Sequence, residues 1–170
     1  MSFAERVLIL TPVKNVAQHL DVYIRGLRSL TYPRDLLSLG ILESDSDDGT
    51  WTLLNEREIE LRALFTSVVL HKLDFGFRIP AGMPRYAPPI QVARRSVLAR
   101  SRNHLLFRAL DDEQWVLWLD ADVIEYPPDI LERLLATGKD IVQPHCVYDY
   151  GGSTFDLNAW RDHGRLHMHD

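Results

Sequence analysis

Cysteine, long apolar runs and net positive charge are what this sequence has least of. Cys146 is the one cysteine in 170 residues, so no internal disulfide can form and a cross-linked secreted scaffold is excluded. It reads as a small buried hydrophobe. The N-terminal apolar run, Val7 to Leu10, stops at Thr11-Pro12, far short of the ~20 residues of a membrane span and of a signal peptide's apolar region. The expectation is a chain without an anchor, cytoplasmic or peripheral to a membrane. Its 24 acidic residues outnumber 19 lysines and arginines, for a net charge of -5, and that field repels a nucleic-acid duplex. No Walker loop, G-x-S-x-G or G-x-G-x-x-G pattern occurs, which removes the commonest phosphate-loop, hydrolase and dinucleotide signatures.

What is present suits one folded domain over residues 1–170, since 46% of the residues are hydrophobic and 25% charged. Short apolar runs at Val7–Leu10, Leu39–Leu42, Val68–Leu70, Trp115–Leu119 and Ile141–Val142 have strand length. The segments between them have helical character: Asn15–Leu30, Trp51–Leu64, Gln91–Leu110 and Pro128–Leu135. Strands alternating with helices predict an α/β domain, a mainly parallel, Rossmann-like sheet flanked by helices. On the longest helix the predicted apolar stripe holds Ala99, Leu106 and Leu110, with Asn103 among them. Phe75–Pro89, with four prolines and two glycines, is predicted as a long loop. It is either a mobile surface loop or a lid whose Arg78 and Arg85 reach phosphates.

The candidate chemistry gathers at strand ends. Trp115-Val116-Leu117-Trp118-Leu119 reads as a buried central strand, followed by Asp120 and Asp122. Side chains two apart on an extended chain share a side, so the pair suits one hard cation such as Mn²⁺ or Mg²⁺. The alternative is an acidic turn. Glu43-Ser44-Asp45-Ser46-Asp47-Asp48-Gly49-Thr50 follows another strand. There Ser44 or Asp45 would accept from a ribose or base, or else Asp48 and Thr50 simply make a turn and start a helix. Thr11, Pro12 and Lys14, after the first strand, form the third edge. Arg94, Arg95, Arg100 and Arg102 offer planar donors suited to phosphate. Asn103 on an apolar stripe must find partners. Asp156 reads equally as a helix cap, and His163, His167 and His169 as a polar tail.

Together these segments resemble the α-mannosyltransferases of the fungal mannan-polymerase subunit type, glycosyltransferase family 62. The resemblance runs from Val7 to about Trp160. It is carried by Leu8-Ile9-Leu10-Thr11-Pro12-Val13-Lys14, Leu30-Thr31-Tyr32-Pro33, Leu39 to Ser46, Ala99-Arg100-Ser101-Arg102-Asn103-His104-Leu105-Leu106, Trp115 to Asp122, and Phe155-Asp156-Leu157-Asn158-Ala159-Trp160. It implies the nucleotide-sugar-binding glycosyltransferase A-type fold, GDP-mannose as donor, Mn²⁺ (or Mg²⁺) as cofactor and retention of the α configuration. Asp120 and Asp122 match the family's D-x-D, and Asp156 matches an active-site acid near the metal. Fungal members carry an N-terminal anchor, whereas this chain starts almost on its first strand. The family also continues past the point matching Asp170, where it supplies a histidine metal ligand and much of the acceptor site. A soluble bacterial-type or truncated relative, lacking the acceptor-binding C-terminal part, is expected.

The expected function is thus metal-dependent, retaining transfer of mannose from GDP-mannose to a glycan acceptor, with related glycosyltransferase subunits as candidate partners. Thr11, Pro12 and Asp45 would hold the nucleoside, with Lys14 and Ser44 beside them. Arg100 and Arg95 would contact phosphates, Asn103 would orient an acid or touch the ligand, Asp120 would reach the donor through the metal, and Asp156 would orient the sugar or the acceptor hydroxyl. Two rivals remain: a non-catalytic nucleotide-sugar-binding subunit, and an Asp-x-Asp phosphohydrolase, for which little chain follows Asp122.

Overall fold

A computed structural model describes residues 5–84 and 87–155, together with the backbone of 160–161 and 166–167. Its residues fall into two units, 1–130 and 131–170. In the first, four parallel strands are ordered β3-β2-β1-β4, namely β3 (Ser67–Lys72), β2 (Leu37–Glu43), β1 (Val7–Val13) and β4 (Trp115–Trp118). β2 is buried at every position, as expected of a parallel strand covered on both faces. Val7 pairs with Leu37 on one side and Trp115 on the other. Pairing with β4 ends at Leu10. Pro12 is tolerated in β1 for that reason. The Leu119 N–H donates to the Leu10 carbonyl, and Pro12, two residues on, faces the same side beyond the end of β4, where no ladder donor is needed.

Helix α1 (Leu20–Ser29) buries Leu20, Tyr23, Ile24 and Leu27, a stripe at helical spacing. Helix α4 (Pro88–Ala109) covers the opposite face, where Leu8, Leu10, Leu42, Leu105 and Ala109 pack together. Gly40 permits that contact, because a Cβ there would lie 2.7 Å from Leu10 Cδ2 and 3.0 Å from Ala109 Cβ.

Several expectations need correction. β4 is an outer strand of the sheet among the described residues, and half-buried throughout; the central strands are β1 and β2. Ile141–Val142 is not a strand, and Ile141 is 92% exposed. The helix predicted over Trp51–Leu64 is two, α2 (Thr50–Glu56) and α3 (Glu58–Leu64), with the Arg57 N–H shared between the Leu53 and Leu54 carbonyls. Helix α4 starts at Pro88, with proline in its first turn, where no N–H is required. Its buried stripe is Ser101, Leu105 and Ala109 rather than the one predicted, and Asn103 is exposed.

The second unit begins within α5 (Ile130–Leu135). In it, Val147 bridges Thr154 antiparallel, and the Tyr148 and Phe155 rings meet edge-on at 5.2 Å. Strands β5 (Trp160–Arg161) and β6 (Leu166–His167) pair antiparallel. Cys146 is half-buried. Asp156 lies outside the described residues, as do Arg85 and His163.

Candidate functional site

Four parallel strands deliver their following residues to one edge of the sheet, where ligands of open α/β folds collect. At the end of β2, Glu43 is fully buried. It accepts from Lys72 Nζ at 2.5 Å and from the Ser46 N–H at 2.9 Å. Lys72, the last residue of β3, also lies 3.6 Å from Asp74. Its bond to Glu43 holds the Lys72 amine above the ordinary lysine range, with partial burial opposing and the fields of Glu43 and Asp74 adding.

Asp45 is the structural centre of this edge. It is 4% exposed and sits at φ 55°, a left-handed conformation that Asp tolerates better than most residues. Its carboxylate accepts three consecutive backbone N–H groups, from Phe75 at 3.1 Å, Gly76 at 2.8 Å and Phe77 at 3.3 Å. Its own N–H donates to Asp74 Oδ1 at 2.8 Å, a bond that holds the Asp74 carboxyl below its usual range, aided by Lys72 against slight burial. Lys14 completes the arrangement by donating from Nζ to the Phe77 carbonyl at 2.6 Å. The start of the long loop is therefore tied down. The ring of Phe75 in turn carries the Arg100 guanidinium at 4.7 Å and meets His104 at 5.9 Å.

Other predicted residues are placed differently. Thr11 is fully buried: its hydroxyl donates to the Leu119 carbonyl at 2.7 Å and lies 2.6 Å from the Tyr23 hydroxyl. Ser44 is buried, Pro12 half-buried and Arg95 exposed. Asn103 lines an open groove of about 360 Å³ with His71, His104, Phe107 and Arg108. Asp48 and Thr50 make the turn and helix start: Thr50 donates to Asp48 Oδ1 from both its N–H and its hydroxyl, and Ala17 N–H donates to Asp48 Oδ2.

Asp120 and Asp122 are exposed at the end of β4, on either side of buried Ala121. They are not on extended chain. A turn closes there, with the Val123 N–H donating to the Asp120 carbonyl at 3.2 Å. Arg102, its guanidinium 5.2 Å from the Trp118 ring, lies 3.8 Å from Asp120 Oδ1. Among the described residues no group of three or more His, Cys, Asp or Glu could hold a metal ion. Asp120 and Asp122 offer hard carboxylate oxygens, and a cation held by two such groups would take its remaining ligands from water and phosphate. Sequence reasoning missed Lys72, Asp74 and Tyr23; the lysine that ends β3 and the aspartate two residues after it were the available signal.

Residues 1–168 match the Anp1 family model. The mannan polymerase II complex anp1 subunit of Schizosaccharomyces pombe is 36% identical, aligning with 93% of this chain and 40% of its own length. For the ANP1 subunit of Saccharomyces cerevisiae the figures are 31%, 98% and 36%. Among solved structures, the mannosyltransferase PcManGT from Pyrobaculum calidifontis, in complex with GDP-Man and Mn²⁺, superimposes with a TM-score of 0.56. It is 22% identical and matches 79% of this chain and 32% of that one. S. aureus TarS gives 0.51 at 16% identity over 77% and 31%. These likenesses establish the glycosyltransferase A-type fold. The chain spans about 40% of the length of those two curated relatives.

Proposed function

The chain belongs to the Anp1 family, and from that premise we propose that it forms the donor-binding part of a metal-dependent, retaining mannosyltransferase. Its donor is GDP-mannose and its acceptor a glycan. The observation that carries this reading is the Asp120/Asp122 pair at the end of β4, in a fold shared with a mannosyltransferase whose complex holds GDP-Man and Mn²⁺.

Asp120 and Asp122 would hold Mn²⁺ or Mg²⁺, which supplies charge neutralisation of the leaving diphosphate. Arg100, positioned by Phe75, and exposed Arg95 add cationic contacts to the phosphates. Lys14 and Asp45 act on the nucleoside through the Phe75–Phe77 segment that they hold. Their polar atoms are already engaged there. Thr11 and Ser44, both buried, shape the floor, with Pro12 at its edge, and Asn103 serves the neighbouring groove. Asp156 orients the sugar or the acceptor hydroxyl. In the transfer, the C1–O bond to diphosphate breaks while the acceptor oxygen bonds C1 on the same face, and the hydroxyl proton leaves with the diphosphate. No covalent nucleophile is required.

One observation favours a second reading. The curated relatives are named as subunits of complexes, and a non-catalytic donor-binding subunit fits those names. No described helix is long and apolar enough to cross a membrane.

A thermal-shift panel with GDP-mannose, UDP-glucose and the bare nucleotides, with and without Mn²⁺, tests the reading. Donor at 100 times its dissociation constant stabilises by roughly 2.7 kcal/mol. A Mn²⁺-dependent shift with GDP-mannose is expected, absent in Asp120→Ala. No shift with any donor counts against the site, and donor binding without hydrolysis or transfer favours the subunit.

A further inference from the structure

The chain from Leu119 to Tyr126 carries exposed Asp120 and Asp122, yet it is neither helix nor strand. A carboxylate pair on such a segment holds a cation well only if the segment is itself held. Two contacts do this, one at each end, and both reach to α1.

At the start of the segment, the Tyr23 hydroxyl, the Thr11 hydroxyl and the Leu119 carbonyl form a chain, with steps of 2.6 and 2.7 Å. Thr11 donates to the carbonyl, so Tyr23 donates to Thr11. Thr11 is 0% and Tyr23 1% exposed, and a buried bond of this kind is costly to leave unmade. Leu119 directly precedes Asp120. At the far end, Tyr126 lies against α1 at Gly26. A Cβ on Gly26 would be 2.6 Å from the Tyr126 hydroxyl oxygen and 3.0 Å from Cζ. That hydroxyl is buried without a hydrogen-bond partner among the described residues, so shape rather than bonding sets the contact. Tyr23 and Gly26 are three residues apart, and thus neighbours on one helix face.

We propose that Tyr23 and Gly26 are positioning residues: α1 fixes Asp120 and Asp122 by a hydroxyl relay at one end of their segment and by a tyrosine ring seated on a glycine at the other. Neither residue touches the ligand. The inference rests on the reading of Asp120 and Asp122 as the metal pair.

The experiment measures Mn²⁺ affinity in the presence of GDP, by the free-Mn²⁺ electron paramagnetic resonance signal, together with hydrogen exchange of the 120–126 amides. Gly26→Ala and Tyr23→Phe should each weaken Mn²⁺ binding by roughly ten-fold or more, the usual effect of losing support behind a metal ligand, and should speed exchange across 120–126. Adding Tyr126→Phe to Gly26→Ala removes the closest clashing atom and should recover part of the loss. Gly40→Ala is the control. Its Cβ would press on Leu10, Ala109 and Leu105, on the other face of the sheet, so it should lower the melting temperature while leaving Mn²⁺ affinity unchanged. Unchanged affinity and exchange in Gly26→Ala and Tyr23→Phe would overturn the proposal, as would an equal loss of Mn²⁺ binding in Gly40→Ala. If Gly26→Ala does not fold, Tyr23→Phe decides alone. A wild-type chain that ignores Mn²⁺ refutes the metal assignment instead, and the exchange measurement still decides whether α1 holds the segment.

Discussion

Asp45 Oδ1 accepts the N–H of Gly76 at 2.8 Å, across 31 residues of chain. The Phe75 and Phe77 N–H groups bond the same carboxylate. An acid expected to face a nucleoside thus spends its acceptor capacity on the protein's own loop. Asp45→Ala should therefore destabilise the fold by about 2–3 kcal/mol, combining lost bonds to a charged acceptor with the cost of alanine at positive φ. Asn tolerates that conformation, so Asp45→Asn should be milder. Urea unfolding measures the loss, and faster hydrogen exchange confined to residues 75–77 would localise it. Unaltered exchange there would contradict the anchoring role.

Glu43 is fully buried and Lys72 only partly so. Removing the lysine leaves a buried carboxylate without its cation, whereas removing both leaves no charge to solvate. Lys72→Met should destabilise by roughly 1–3 kcal/mol, below the cost of breaking a fully buried pair because water reaches the lysine side. The double variant Glu43→Gln/Lys72→Met should be less destabilised than Lys72→Met alone. A double-mutant cycle by chemical denaturation reads the coupling, and additive losses would show the pair to be uncoupled.

Acid should weaken the fold in two stages. His71 is held below the ordinary histidine value by burial, then by the positive charges of Arg108 and His104. Its contribution is present above about pH 6.5 and is lost as pH falls through its lowered folded value. Asp74 is also lowered. Burial alone would raise Asp48, but hydrogen bonds from Thr50 and Ala17 outweigh it and lower that group too. Both carboxylates contribute above the ordinary carboxylate range and lose that contribution at more acidic pH. Melting temperature against pH should fall first below neutrality and again below about pH 4. His71→Gln should remove the first fall and leave the second.

Strand positions were legible because apolar runs of strand length are bounded by turn residues, and the acids at strand ends followed from them. The partners of those acids were not. Asp45 meets residues 75–77, Glu43 meets Lys72, and Thr11 meets Tyr23 and Leu119; the register of parallel strands, and for Tyr23 the seating of α1 on the sheet, brings such residues together. Helix α4 misled for a different reason. Val92 and Phe107 are each 82% exposed and five arginines are interleaved among its apolar residues, so no single stripe stood out. The one that packs, Ser101-Leu105-Ala109, holds a single large apolar side chain, and its Leu105 and Ala109 meet Gly40. The acidic turn after β4 was visible only as two aspartates; the helix that supports it lies a hundred residues earlier in the chain.

Two carboxylates leave most positions around a divalent ion to water and phosphate, so under the proposed function cation and nucleotide must help each other bind. Mn²⁺ should bind weakly to the free chain and tightly with GDP present. By linkage GDP affinity should rise with Mn²⁺ by the same factor. EDTA should therefore cut GDP and GDP-mannose binding by ten-fold or more, about 1.4 kcal/mol, yet leave guanosine, which has no phosphate to share, where it was. Asp122→Ala should reproduce the EDTA result without chelator, at an exposed position where the melting temperature moves little. Isothermal titration of GDP, GDP-mannose and guanosine, each with Mn²⁺ and with EDTA, measures all of this. GDP binding that is indifferent to chelation would assign Asp120 and Asp122 to the turn alone.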